Sequence, residues 1–154
     1  MSYAAVRPDS WNFALFVHVL GAMVFVSVLA AVVVVLVVAL RTDDRADALR
    51  FAFRTLLIGG IPAYIVMRGG AEWIASKEHI ADVDPEPSWI GIGYSVADGG
   101  LLFLIIMCIL AGIASRRARA GGQPSALVRW TMGLAAVIIV AYGVALWAMA
   151  TKPV

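Results

Sequence analysis

Cysteine is nearly absent from this chain, with Cys108 alone. No intrachain disulfide can form and no Cys pair is available for thiol exchange. Histidine is almost as scarce: only His18 and His79 are present, and His79 falls in a predicted loop, so bis-histidine ligation between helices has no residues. Charged residues make up 14% of the chain and hydrophobic ones 62%, whereas a soluble domain is about a quarter charged and near half apolar. There is no glycine-rich phosphate loop and no nucleophile elbow, which leaves kinase and hydrolase readings without support. A zinc site would lack His and Cys and would have to use carboxylates. The net charge of +2 comes without an aromatic and basic pattern, so it gives no ground for a nucleic-acid partner.

What the chain does have is apolar length. Runs at 11–40, 52–76, 89–115 and 126–150 are each long enough to cross a hydrocarbon core of about 30 Å at about 1.5 Å per residue. Together they leave only tails and short connections. The expected fold is all-α: a single four-transmembrane-helix bundle over residues 1–154. The first run has a weak basic flank, with Arg7 offset by Asp9. At about thirty residues it is longer than a signal h-region, so it reads as an uncleaved first span. Cys108 falls mid-span as a small core hydrophobe.

The arginines orient the bundle. Arg41, Arg45, Arg50 and Arg54 fall in the first connection, and Arg116, Arg117, Arg119 and Arg129 in the third. The opposite side offers Arg7, Lys77 and Lys152 against Glu78, Asp82, Asp84 and Glu86. By the positive-inside rule, loops 41–54 and 116–129 are cytoplasmic and both termini lie on the outer side of a cytoplasmic membrane. Trp11, Trp73, Trp89 and Trp147 then form an outer aromatic belt and Trp130 marks the inner one. Ser10, Ser88 and Ser125 are placed to cap the first, third and fourth helices.

The chemical signal is a set of polar side chains inside these runs. Counted from the outer helix ends, His18 lies roughly 10 Å deep, Arg68 roughly 12 Å and Asp98 roughly 13 Å, with Tyr142 level with them and Glu72 one turn nearer the surface. An Arg or Asp at a helix centre costs about 2.5–3.5 kcal/mol on insertion scales. Tyr64, Arg68 and Glu72 recur at i+4 on one face of the second helix, and Tyr94 and Asp98 on one face of the third. These stripes are expected to turn inward and form a polar pocket in the outer half. Two carboxylates against Arg68 leave one negative charge. Protonated His18 would balance it; otherwise one carboxyl keeps its proton against desolvation and a like-charged neighbour. The plainer alternatives are an internal Arg68–Glu72 ion pair with Arg68 snorkelling outward, and His18 as a hydrogen-bonded core histidine.

Helix two is interrupted at Gly59-Gly60-Ile61-Pro62. The proline removes a backbone hydrogen bond and clashes with the carbonyl of Ile58, giving a static kink or a hinge below Arg68. Gly69-Gly70 and Gly99-Gly100 follow Arg68 and Asp98, either for close helix approach or to leave room for a flat ligand. His18 is also the candidate metal ligand. Haem would need it with Met23, Met67 or an open position, and copper would need it with methionine or with His79.

The segment Phe16-Val17-His18-Val19-Leu20-Gly21-Ala22-Met23 resembles the His-Val-Leu-Gly-Ala opening of a group of small four-helix bacterial integral membrane proteins, among them the family labelled domain of unknown function 2269. More distantly it is similar to the first helix of copper-resistance membrane proteins and of the haem-binding, four-helical type of protoporphyrinogen oxidase. The resemblance to the oxidase implies a haem-ligating histidine, which only His18 can supply. Its Trp-Met-Ala-Gly and Tyr-Leu-Pro-Arg segments are not present here.

Two functional readings follow. One is a membrane protein that binds haem, a porphyrin or a quinone through His18, Arg68 and Asp98, with Glu72, Tyr64, Tyr94 and Tyr142 lining the site and Arg68 facing a carboxylate or developing negative charge. The other is a small proton-coupled transporter with Asp98 and Glu72 as proton sites and Pro62 as hinge. A third, non-catalytic reading is an accessory subunit whose polar residues hold helices together. Four short helices bury little surface around a pocket, which leaves room for a homodimer or a larger membrane complex.

Overall fold

A computed structural model describes residues 9–42, 45–79 and 88–151. Arg7, Asp82, Asp84, Glu86 and Lys152 lie outside the described residues. Helix α1 spans Asp9–Arg41 and α2 spans Arg45–Thr55. A π turn covers Leu56–Gly60, α3 runs over Ile61–Lys77, α4 over Ser88–Arg119 and α5 over Ser125–Ala150. The segment Arg45–Lys77 forms one span, so four helices are long and apolar enough to cross a membrane. The chain is a multi-pass, all-α membrane protein by helix length and hydropathy.

Two expectations shift. The second helix begins at Arg45, ahead of the apolar run at Ala52, because two alanines, two arginines and Leu49 between Arg45 and Phe51 are good helix formers and continue the rod. Arg45, Arg50 and Arg54 are therefore helical. The serine caps also move: Ser10 already lies within the first turn of α1 and Ser88 is itself helical, while Pro124 precedes α5.

The outward surface is apolar, as lipid contact requires, with Phe16, Val34, Ile65, Leu102, Val140 and Leu146 all exposed. The interior differs between the two halves. In the half nearer Arg41, Arg45 and Arg119, the side chains of Leu29, Leu36, Leu49, Leu56, Met107 and Ile138 are fully buried. The half nearer Lys77 and Ser88 is lined mainly by small residues, among them Ala14, Gly21, Gly70, Gly100, Ala145 and Ala148. Small side chains let backbones approach. A Cβ on Gly21 would lie 2.5 Å from the Met67 nitrogen, and one on Gly70 2.6 Å from the His18 nitrogen. The backbones of α1 and α3 are thus in direct contact at His18 and again one turn along at Gly21.

The break expected at Pro62 takes the form of the π turn. Proline offers no N–H to the carbonyl of Ile58. One residue before it, the Ile61 N–H reaches back to the carbonyl of Leu56, an i→i−5 bond that widens the helix locally. This turn redirects the second span. Below it, α2 packs along α4, where Gly112 receives the Phe53 ring; above it, α3 packs along α1 and scarcely touches α4. A groove therefore opens between α3 and α4 in the half nearer Lys77 and Ser88.

Candidate functional site

Arg68 is the hub of that groove. Its Nη1 lies 3.0 Å from Glu72 Oε1 on its own helix, and Nη2 lies 3.6 Å from Asp98 Oδ1 on α4. The guanidinium also sits 4.6 Å from the centroid of the Tyr94 ring, within cation–π range. The Tyr94 hydroxyl donates to Glu72 Oε2 at 3.4 Å. Four of the residues expected from i+4 spacing are thus brought together, and one cation faces two carboxylates.

They are not buried together. The side chain of Arg68 is 27% exposed, that of Glu72 52% and that of Asp98 70%. The expectation of an enclosed polar pocket is corrected here. Divergence of α3 from α4 leaves the acids on the rim of an open groove, while only the guanidinium is shielded. A separate cleft of about 360 Å³ lies where the Ser88 end of α4 meets the Thr151 end of α5, between Trp89, Ile92 and Trp147, and includes none of the expected site residues.

One turn further in, the Tyr64 hydroxyl bridges the groove to the carbonyl of Ala97 at 3.1 Å. The Phe25 ring packs against both Tyr64, at 5.8 Å, and Tyr142, at 5.4 Å. Tyr142 meets α4 beside Gly100, and its buried hydroxyl has no hydrogen-bond partner among the described residues. Phe25, which the sequence reading did not single out, connects the two tyrosines. Its only sequence signal is its place one helical repeat inward of His18 on α1, a weak one in a run of apolar residues.

His18 stands apart from this cluster. Its Nδ1 bonds the carbonyl of Met67 at 2.9 Å across the α1–α3 contact, and among the described residues it forms no ion pair with Glu72 or Asp98. Of the two ways to balance the cluster, the one through a charged His18 therefore has no contact at the groove. A carbonyl-bonded Nδ1 is also how metal-ligating histidines are oriented. However, the backbone contact at Gly21 and Gly70 leaves no room for a macrocycle between α1 and α3 at this point, and haem does not fit there. Among the described residues, no group of three or more His, Cys, Asp or Glu is placed to hold a metal ion.

No family model, curated protein or solved structure matches this chain, so the resemblance of residues 16–23 stands on those residues alone.

Proposed function

We propose that the chain is a protein of a bacterial cytoplasmic membrane, with the arginine-bearing turns inside and both termini outside, and that it binds an amphipathic ligand at the groove between α3 and α4. The observation that supports this reading is Arg68 held at once from both helices, by Glu72 and by Asp98, where the helices diverge. Charge narrows the ligand. With both acids ionised the cluster carries one net negative charge, and the exposed atoms are carboxylate oxygens. A porphyrin carboxylate would meet like charge there, whereas a quinone-type head group can accept from Arg68 without that penalty. In this reading Tyr64, Phe25 and Tyr142 form the inner wall of the site, and His18 fixes α3 against α1 so that Arg68 faces α4.

The test is analysis of the purified protein in mild detergent by organic extraction and by visible spectroscopy with and without dithionite. A quinone-type amphipath that co-purifies, and that Arg68→Gln and Asp98→Asn lose, is the expected result. A Soret band that shifts on reduction and disappears in His18→Ala would replace this reading with haem binding. Absence of both an extractable ligand and any stabilisation by added quinone would remove it.

A second reading, proton-coupled carriage, is favoured by one observation: Asp98 is 70% exposed yet lies 3.6 Å from Arg68. Such a carboxylate can exchange protons with the outer side and report its state to α3. Proton uptake into liposomes that is abolished in Asp98→Asn would select it.

A further inference from the structure

Arg50 and Arg54 are out of place for loop arginines, since both lie within a helix and both are exposed. With Asp47, Phe51 and Ile58 they form the outward stripe of the second span, where Phe51 is 59% and Ile58 75% exposed. Arg54 is nine residues into the helix, about 13 Å from its start. The Phe53 ring against Gly112 sets the corresponding level on α4. There Ile109 and Ile113 are exposed at 55% and 39%, and on α1 Val34 and Val38 are exposed at 62% and 47%. Lipid-facing apolar side chains therefore flank the guanidinium groups on both neighbouring helices.

The uncharged stretch from Thr55 to Met67 is about thirteen residues, roughly 20 Å, against a hydrocarbon core of about 30 Å. One end of this span must then meet head groups drawn into the bilayer, or place arginine in hydrocarbon at a cost of about 2.5–3.5 kcal/mol. Among the described residues neither arginine forms an ion pair, not even with Asp47 on the same stripe. Spaced i, i+4, they can reach one phosphate together, and a guanidinium fork matches phosphate geometry. Phe51 and Ile58 offer the adjoining surface to an acyl chain.

We infer that the Arg50–Arg54 face of α2 is a binding site for the head group of an anionic phospholipid. The inference needs only that the chain spans a bilayer, and holds whichever side the arginines face and whatever the α3–α4 groove binds.

The experiment is native mass spectrometry of the full chain in mild detergent, titrated with phosphatidylglycerol, phosphatidylcholine or inorganic phosphate. Phosphatidylglycerol is expected to be retained about tenfold more tightly than phosphatidylcholine, with no adduct of inorganic phosphate alone. Arg50→Gln with Arg54→Gln should abolish the preference. Arg116→Gln with Arg117→Gln, an equal loss of charge at the same end of the bundle, should leave it within about twofold. Equal retention of both lipids, or equal loss in both double variants, overturns the site in favour of diffuse charge attraction. If the Arg50/Arg54 variant does not fold, thermal unfolding of the unaltered chain decides: a larger rise in Tm with phosphatidylglycerol than with phosphatidylcholine supports the site, and equal rises overturn it.

Discussion

The Nδ1 atom of His18 on α1 lies 2.9 Å from the backbone carbonyl of Met67 on α3. A carbonyl only accepts, so Nδ1 carries the hydrogen of this bond. This bond crosses the close α1–α3 contact and ties α3 to α1 one residue from Arg68. Nitrogen NMR of histidine-labelled protein should therefore show a protonated Nδ1 for His18. A ring protonated at Nε2 alone would contradict the arrangement. His18→Leu is expected to destabilise by about 1 kcal/mol, the net value of one hydrogen bond, as read by unfolding in mild detergent.

The glycine pair beside Arg68 gives a sharper test of the same contact. A Cβ at Gly70 would lie 2.6 Å from the His18 backbone nitrogen, while one at Gly69 would meet nothing within 4 Å. Both positions are helical, so alanine brings each the same gain in propensity, about 1 kcal/mol. Gly69→Ala should be neutral or stabilising. Gly70→Ala should destabilise by about 1–3 kcal/mol through overpacking. Equal Tm values for the two variants would mean that α1 and α3 do not touch here.

The helix count was legible in the sequence because hydrocarbon demands long apolar runs, and few compositions supply four of them. The meeting of Arg68, Glu72, Tyr94 and Asp98 was legible too, since i+4 stripes on two helices leave them little choice of neighbour. Their exposure was not. Helices α1 and α5 are apolar on all sides, and α4 is long and hydrophobic. Lipid and core then favour the same side chains, and periodicity does not tell one face from the other. The partner of His18 was hidden for a different reason: a backbone carbonyl leaves no mark in the sequence. Pro62 announced a break, but the form it takes depends on Leu56, Gly60 and the packing of Leu104 beside them.

Tyr142 separates a structural core from a binding site. Its hydroxyl is buried without a partner, and such a group opposes stability by about 1–3 kcal/mol. Tyr142→Phe should therefore raise stability, or leave it unchanged, in ligand-free detergent. If the same substitution lowers stability in native lipid extract, the hydroxyl finds its partner in a bound molecule there.

The Arg68 cluster reports how wet the groove is. Arg68 and Asp98 belong to different helices, so a double-mutant cycle between Arg68→Gln and Asp98→Asn isolates their coupling. At 70% exposure for Asp98, a groove filled by water should return about 0.2–1 kcal/mol, as surface ion pairs do. Hydrocarbon around the same pair would raise the coupling to several kcal/mol, because removing Arg68 would strand a carboxylate away from water. The cycle measured in bilayer nanodiscs should give the small value, with Glu72→Gln alone changing stability by less than about 0.5 kcal/mol. A large value would mean that water does not reach the pair, and would remove the carrier reading proposed for Asp98.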